Sequence, residues 1–152
     1  MKIQKTVNIL NKRARFEYEI SEEIEAGIVL TGTEIKSLRS SKASITDSFC
    51  QFIDGELYII NMNIDEYKLG TFYNHKTKRE RKLLLNKKEL QKFEKKLKDV
   101  GNTIIPLKLY INEKGLAKLI VALARGKKLY DKREVIKDRE NKRNLDRIAK
   151  KN

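Results

Sequence analysis

The chain has 152 residues, with 35 Lys and Arg against 21 Asp and Glu, and a formal net charge of +14. That length holds one domain with a sizeable core and excludes two of ordinary size. The single cysteine excludes an intramolecular disulfide framework, and no apolar run approaches the roughly 20 residues needed to span a bilayer.

The N-terminus carries Lys2 and Lys5 but then polar Asn8, Asn11 and Lys12, so it lacks a secretory apolar stretch. These features predict a cytoplasmic protein. The positive charge is concentrated. Arg125 to Asn152 holds twelve Lys and Arg against five Asp and Glu, and Lys76 to Lys98 holds eleven against three, leaving the rest close to neutral. Two basic segments on a near-neutral body are the footprint of a polyanion binder, RNA first. The division predicted is a packed body over 1–124 and a basic tail over 125–152.

Along the body, Phe16, Tyr18 and Ile20 alternate with Glu17 and Glu19, predicting a strand. An acidic turn over 21–23 then leads to a partner strand at Gly27 to Leu30. Thr33 is the predicted cap of a short helix in which Ile35 and Leu38 share a face and Glu34 sits in the first turn. Phe49 to Ile53 and Glu56 to Ile60 flank Asp54-Gly55, which predicts a hairpin closed by a type I′ turn.

From Tyr67 to Lys82 no periodicity survives, so an exposed loop, mobile until a ligand orders it, is expected. Asn86 with Glu89 forms a capping-box pattern for a helix whose Leu90, Phe93 and Leu97 line one face, ended by Gly101. Its other face carries Lys88, Lys92, Lys95, Lys96 and Lys98. Two further strands, Thr103 to Ile111 and Leu116 to Ala124, are joined by Asn112 to Gly115, with Pro106 suggesting an edge or strand-start position. Six strands with two helices, mainly β, predict a small closed barrel.

The inventory argues against catalysis. The one histidine, His75, has no second ligand at metal spacing and is expected as a solvated loop residue. Cys50, inside a strand, is expected as a core residue, and no phosphate-cradling glycine motif is present. No metal site, no cofactor and no enzymatic activity are expected. The stretch from Phe72 to Lys82 places Phe72, Tyr73 and His75 beside cations, a pattern that suits stacking on unpaired bases. In the tail, Asp138/Lys142 and Asp146/Lys150 are favourable helical pairs, but Lys137 to Asn144 contains no apolar residue. A helix with no face to bury is marginal in water, so the expected tail is disordered when free and helical against phosphates.

Four motifs in order resemble one family. They are Asn11-Lys12-Arg13-Ala14-Arg15, Gly32-Thr33-Glu34-Ile35-Lys36-Ser37-Leu38, Arg81-Lys82-Leu83-Leu84-Leu85-Asn86, and Gly126-Lys127-Lys128 leading to Asp131-Lys132-Arg133. Together they resemble the SsrA-binding protein (small protein B) family. The resemblance implies an oligonucleotide-binding-type β-barrel that binds the tRNA-like domain of transfer-messenger RNA and delivers it to stalled ribosomes. It implies RNA contacts at Asn11, Arg13, Arg15, Glu34, Lys36, Leu84, Leu85, Lys127 and Lys128. It also implies a tail that enters the decoding site and messenger channel through Tyr130, Asp131, Lys132, Arg133, Arg139, Lys142 and Arg143. Asn86, Tyr130 and Asn141 depart from residues common in relatives: His, His and an aromatic. The alternative from composition alone is a general RNA-binding barrel of ribosomal or initiation-factor type. A monomer is expected when free, with no membrane partner.

Overall fold

The computed structural model describes residues 7–70 and 74–127. In chain order these form β1 (Asn8–Leu10), α1 (Ala14–Glu17), β2 (Tyr18–Ile28), α2 (Gly32–Arg39), β3 (Ala43–Ser44), β4 (Phe49–Ile53), β5 (Glu56–Ile60) and β6 (Asn63–Ile64). They continue with β7 (Arg81–Leu84), α3 (Lys87–Lys96), β8 (Asn102–Ile111) and β9 (Ala117–Gly126).

Six strands close a ring in the order β8-β4-β5-β7-β2-β9, with β9 pairing back to β8. The ring is closed, although β2 meets β7 only at Gly27 and Ile28. Strand β8 is shared along its length: Ile104 pairs with Cys50 of β4, and Lys108 to Tyr110 pair with β1. The predicted six-stranded barrel is therefore present, but two of its strands differ from expectation. The segments predicted as two strands around an acidic turn are one 11-residue strand, β2. It pairs with β9 from Tyr18↔Gly126 to Gly27↔Lys118, with a bulge between Ile20 and Glu22. Here tertiary pairing overrides local composition. Strand β9 offers a full-length partner, and Glu22, which read as a turn residue, is neutralised by Lys92 (in a short contact) and by Lys96 at 2.8 Å. The strand that completes the ring is β7, which begins inside the stretch expected to be a loop.

The core runs through the ring. Ala26, Leu57, Ile59, Leu83, Ile104, Leu119 and Val121 have no exposed surface, and α3 covers them with Phe93, flanked by Leu90 and Leu97. On the α2 side, Leu38 packs against the same cluster. Cys50 belongs to it as expected. Pro106 is in mid-strand opposite Val121, contrary to the edge or strand-start position expected. It sits where the β8–β9 register shifts, between Pro106 and Lys108, so its missing N–H interrupts a ladder already broken by a bulge.

The hairpin is as predicted, with β4 and β5 in register from Phe49↔Ile60 to Ile53↔Glu56. Asp54 and Gly55 take φ of 51° and 81°, the positive pair that a type I′ turn requires. Helix α2 is capped by Thr31 rather than Thr33. Its Oγ1 accepts from the Glu34 N–H at 3.4 Å while Glu34 Oε1 accepts from the Thr31 N–H at 2.8 Å. Helix α3 has the capping box expected of Asn86 and Glu89, with bonds of 2.8 and 3.1 Å. A turn containing Gly101, at φ 90°, leads from its end into β8. Replacing Asn86 by Ala removes that cap and is expected to lower stability by about 1 kcal/mol in urea unfolding, with no change in the slope of the transition.

Candidate nucleic-acid interface

The inward face of β7 carries Arg81 and Leu83 two residues apart, both wholly buried. A guanidinium in that position needs a counter-charge and acceptors. Glu34 of α2, also without exposed surface, supplies the charge through a short contact from Arg81 Nε to Oε2. Carbonyls supply the rest: Arg81 Nη1 donates to Met62 O at 2.7 Å and Arg79 O at 3.1 Å, and Nη2 to Thr77 O at 3.1 Å and Lys76 O at 3.4 Å. One side chain thus ties the ring, the connection after β5 and the 76–79 turn to helix α2.

Glu34 holds a second arginine. Arg79 Nη2 donates to Oε1 at 2.6 Å and Nε reaches Oε2 at 3.4 Å, yet 35% of the Arg79 side chain stays exposed. Burial alone pushes the Glu34 carboxyl up. Donation from Arg79, the Thr31 N–H and Arg81 outweighs it and holds the group below its ordinary 4.5.

Next to this node, His75 is buried, not solvated as expected. Its Nε2 donates to the Ile64 carbonyl and its Nδ1 bonds the Thr33 hydroxyl, both at 2.9 Å. Residues 74–80 are therefore pinned from beneath, whereas Phe72 and Tyr73 of the expected stacking pattern lie outside the described residues.

The predicted contact residues fall into separate groups. Asn11 follows β1, with its N–H bonded to Leu107 O and its Nδ2 to Pro106 O, each at 2.9 Å. Its Oδ1 is buried with no hydrogen-bond partner among the described residues. Asn11 shares a hollow of about 340 Å³ with Leu10, Lys12, Arg15, Leu107 and Lys108. Arg13 is exposed beside it, and Arg15 bonds Glu23 at 2.9 Å while remaining largely in solvent.

Leu84 and Leu85 line a second hollow with Gly55, Lys82 and Lys87. Leu84 is 54% exposed and lies on Gly27, its partner across β2–β7; a Cβ on that glycine would come within 3.3 Å of the Leu84 Cβ. Lys36 is exposed on α2, with Nζ 5.5 Å from the Tyr67 ring centroid. The Lys127 N–H donates to Glu17 O at 2.9 Å, so the chain leaves the barrel beside α1. Lys128, Tyr130, Asp131, Lys132, Arg133, Arg139, Lys142 and Arg143 lie outside the described residues, as do Asn141 and the helical pairs expected in the tail.

The structure brings Asn11, Lys12 and Arg15 together, and Leu84 with Leu85. It places Glu34 beneath the surface, with Arg79 as the charged group that emerges from it. Sequence reasoning missed Arg79 and Arg81, although Arg81 shares the inward register of Leu83. Among the described residues no group of three or more His, Cys, Asp or Glu is placed to hold a metal ion. Burial pushes the Cys50 thiol far above its ordinary range, which leaves it a poor nucleophile. No helix among the described residues is long and apolar enough to cross a membrane.

The family model for SmpB protein matches residues 8–151. The chain belongs to the SmpB family. It is 64% identical to an SsrA-binding protein of Flavobacterium psychrophilum, over 96% of this chain and 97% of that one. It is 58% identical to one from Bacteroides thetaiotaomicron, over 97% and 98% of the two chains. Among solved structures, one described as "tmRNA-SmpB: a journey to the center of the bacterial ribosome" matches with a TM-score of 0.69 and 50% identity. The match covers 81% of this chain and 86% of that one. The SmpB family relation and the six-stranded ring agree with the resemblance carried by the four sequence motifs.

The Glu34 pair makes a pH prediction for this SmpB-family barrel. A carboxyl held below 4.5 in the folded state stabilises the protein fully above that pH and loses its contribution as pH falls through the lowered folded value. Glu34→Gln is expected to cost about 3 kcal/mol at neutral pH, because Arg81 is left buried without a counter-charge. Urea unfolding across pH is expected to show a shallower acid loss in the variant than in the unmodified chain.

Proposed function

We propose that this protein binds the tRNA-like domain of transfer-messenger RNA and delivers it to stalled ribosomes, acting in trans-translation. The observation that carries this reading is family membership across residues 8–151, joined to a likeness to a tmRNA-SmpB structure on the ribosome. The physical features agree with it. A strand ring closed on an apolar core presents exposed cations at Lys12, Arg13, Lys36 and Lys127, while Glu22 is drawn into pairs with Lys92 and Lys96.

RNA capture belongs to the body in this reading. Asn11, Arg13 and Arg15 meet the RNA at one hollow, Leu84 and Leu85 at the other, with Lys36, Lys127 and Lys128 supplying phosphate contacts. The Asn11 Oδ1, buried and unpaired among the described residues, is an acceptor suited to a ribose hydroxyl or base amino group. Glu34 acts from beneath the surface, through the arginine it holds. Tyr130, Asp131, Lys132, Arg133, Arg139, Lys142 and Arg143 take the ribosomal role, entering the decoding site and messenger channel. The body over 1–124 and tail over 125–152 divide the labour, with β9 running through to Gly126 at their junction. The protein works in the cytoplasm, as a monomer when free, and needs neither cofactor nor catalytic residue.

Three experiments test this reading. In competition binding at near-physiological salt, the chain is expected to prefer the folded tRNA-like RNA over plain duplex; equal affinity for both would return it to the general RNA binders. Asn11→Ala is expected to weaken capture by about ten-fold, since a buried hydrogen bond is worth on the order of 1 kcal/mol or more. Removing residues 131–152 is expected to leave capture within two- to three-fold, a difference of well under about 1 kcal/mol, and to abolish tagging on stalled ribosomes. A truncated chain that still supports tagging would remove the tail from the mechanism.

A further inference from the structure

The 76–79 turn has an arrangement that neither capture hollow explains. Its chain is closed by the Arg79 N–H donating to Lys76 O at 3.3 Å, and Lys76 and Lys78 are both exposed. Below it, the wholly buried Arg81 binds the carbonyls of Lys76, Thr77 and Arg79. These bonds draw the turn's acceptors inward and leave its cationic side chains on the outer side.

Arg79 is half committed. Its Nε and Nη2 face the Glu34 carboxylate, and Nη2 also reaches Val29 O at 3.4 Å. Among the described residues Nη1 has only Glu80 O, at 3.4 Å, so the guanidinium's surplus N–H capacity lies there. Glu34 carries one negative charge against two arginines, so the node remains net positive. A guanidinium locked on one edge by a buried carboxylate has lost most of its rotamer freedom before any ligand arrives, which lowers the cost of binding. With that edge taken, the remaining Nη1 N–H can give one charge-assisted bond to a phosphate oxygen.

We propose that this turn is a preformed grip for a backbone phosphate of the bound RNA, with Arg79 touching the phosphate and Glu34 as the positioning residue behind it. The inference rests on the RNA-binding reading above and adds a contact outside the Asn11 and Leu84 hollows. Lys76 and Lys78 supply the surrounding positive field, and Arg79 supplies geometry. The contact carries no base information, so it contributes register and affinity rather than sequence choice.

The test uses the full chain and a labelled tRNA-like RNA fragment, titrated over a range of salt concentrations. Binding by the unmodified chain checks the reading on which the inference rests; no binding there sinks that reading, and the grip with it. Given that binding, Arg79→Ala is expected to weaken it about ten-fold and to reduce the slope of log K against log salt by about 0.9, one phosphate contact. Arg79→Lys is expected to restore the slope but only part of the affinity, since it keeps charge without the two-bond hold on Glu34 that orients Arg79. Glu34→Gln is expected to weaken binding, and adding Arg79→Ala to it to cost much less than in the unmodified background. Should Glu34→Gln not fold, the two Arg79 variants decide alone. An unchanged slope in Arg79→Ala, with or without loss of affinity, would overturn the proposal, because a merely structural role leaves the count of phosphate contacts intact.

Discussion

The buried pair of Glu34 and Arg81 is the constraint around which the rest of this protein is arranged. Neither side chain reaches solvent, so each charge exists in the folded state only because the other is in place. Satisfying Arg81 takes backbone carbonyls from Met62, Lys76, Thr77 and Arg79, and satisfying Glu34 takes the first turn of α2 and Arg79 as well. Without this node, helix α2, the strand that completes the ring and the basic turn before it would have little to hold them in common. An apolar pair of the same volume would fill the space. It would not give the carbonyls a donor or keep a cation at the rim.

Charge is managed the same way elsewhere. Glu22 on β2 faces the lysines of α3, Arg15 faces Glu23, and the Tyr110 hydroxyl donates to Glu25 at 2.5 Å. Each of these local pairings is exposed or only part-buried and worth little to stability. Their effect is on the field. Glu22, Glu23 and Glu56 are paired within the barrel, and among the described residues cations outnumber acids. That is the electrostatic condition for holding a polyanion without sacrificing a closed apolar core.

Much of this architecture was legible from residue order. The Asp54-Gly55 hairpin, the Asn86–Glu89 cap, the face of Phe93 and the two long C-terminal strands each carry a local signal, because turn conformation, capping and periodicity act over a few residues. Legibility failed where the stabilising partner is remote. Ser21 to Glu23 resembles a turn until β9 lies alongside it. Arg81 and His75 resemble solvated loop residues until Glu34, Thr33 and Ile64 are brought up to them. Pro106 resembles an edge marker until the bulge between β8 and β9 is seen. The candidate interface split along the same line: Lys12, Arg13 and Lys36 are cations wherever they sit, whereas the exposure of Leu84 depends on lying over Gly27.

Residue order by itself determined the class of partner, the family and the mainly β character of the body, since composition, motif spacing and hydrophobic alternation survive without coordinates. Only the tertiary structure decided which segments became the strands, and which charged groups face water. The reason is the range of the forces. Backbone preference and pattern are properties of neighbours along the chain, but desolvation of a charge depends on everything packed around it. Glu34 could be assigned to the inside, and Arg79 to the surface beside it, only once the ring had closed.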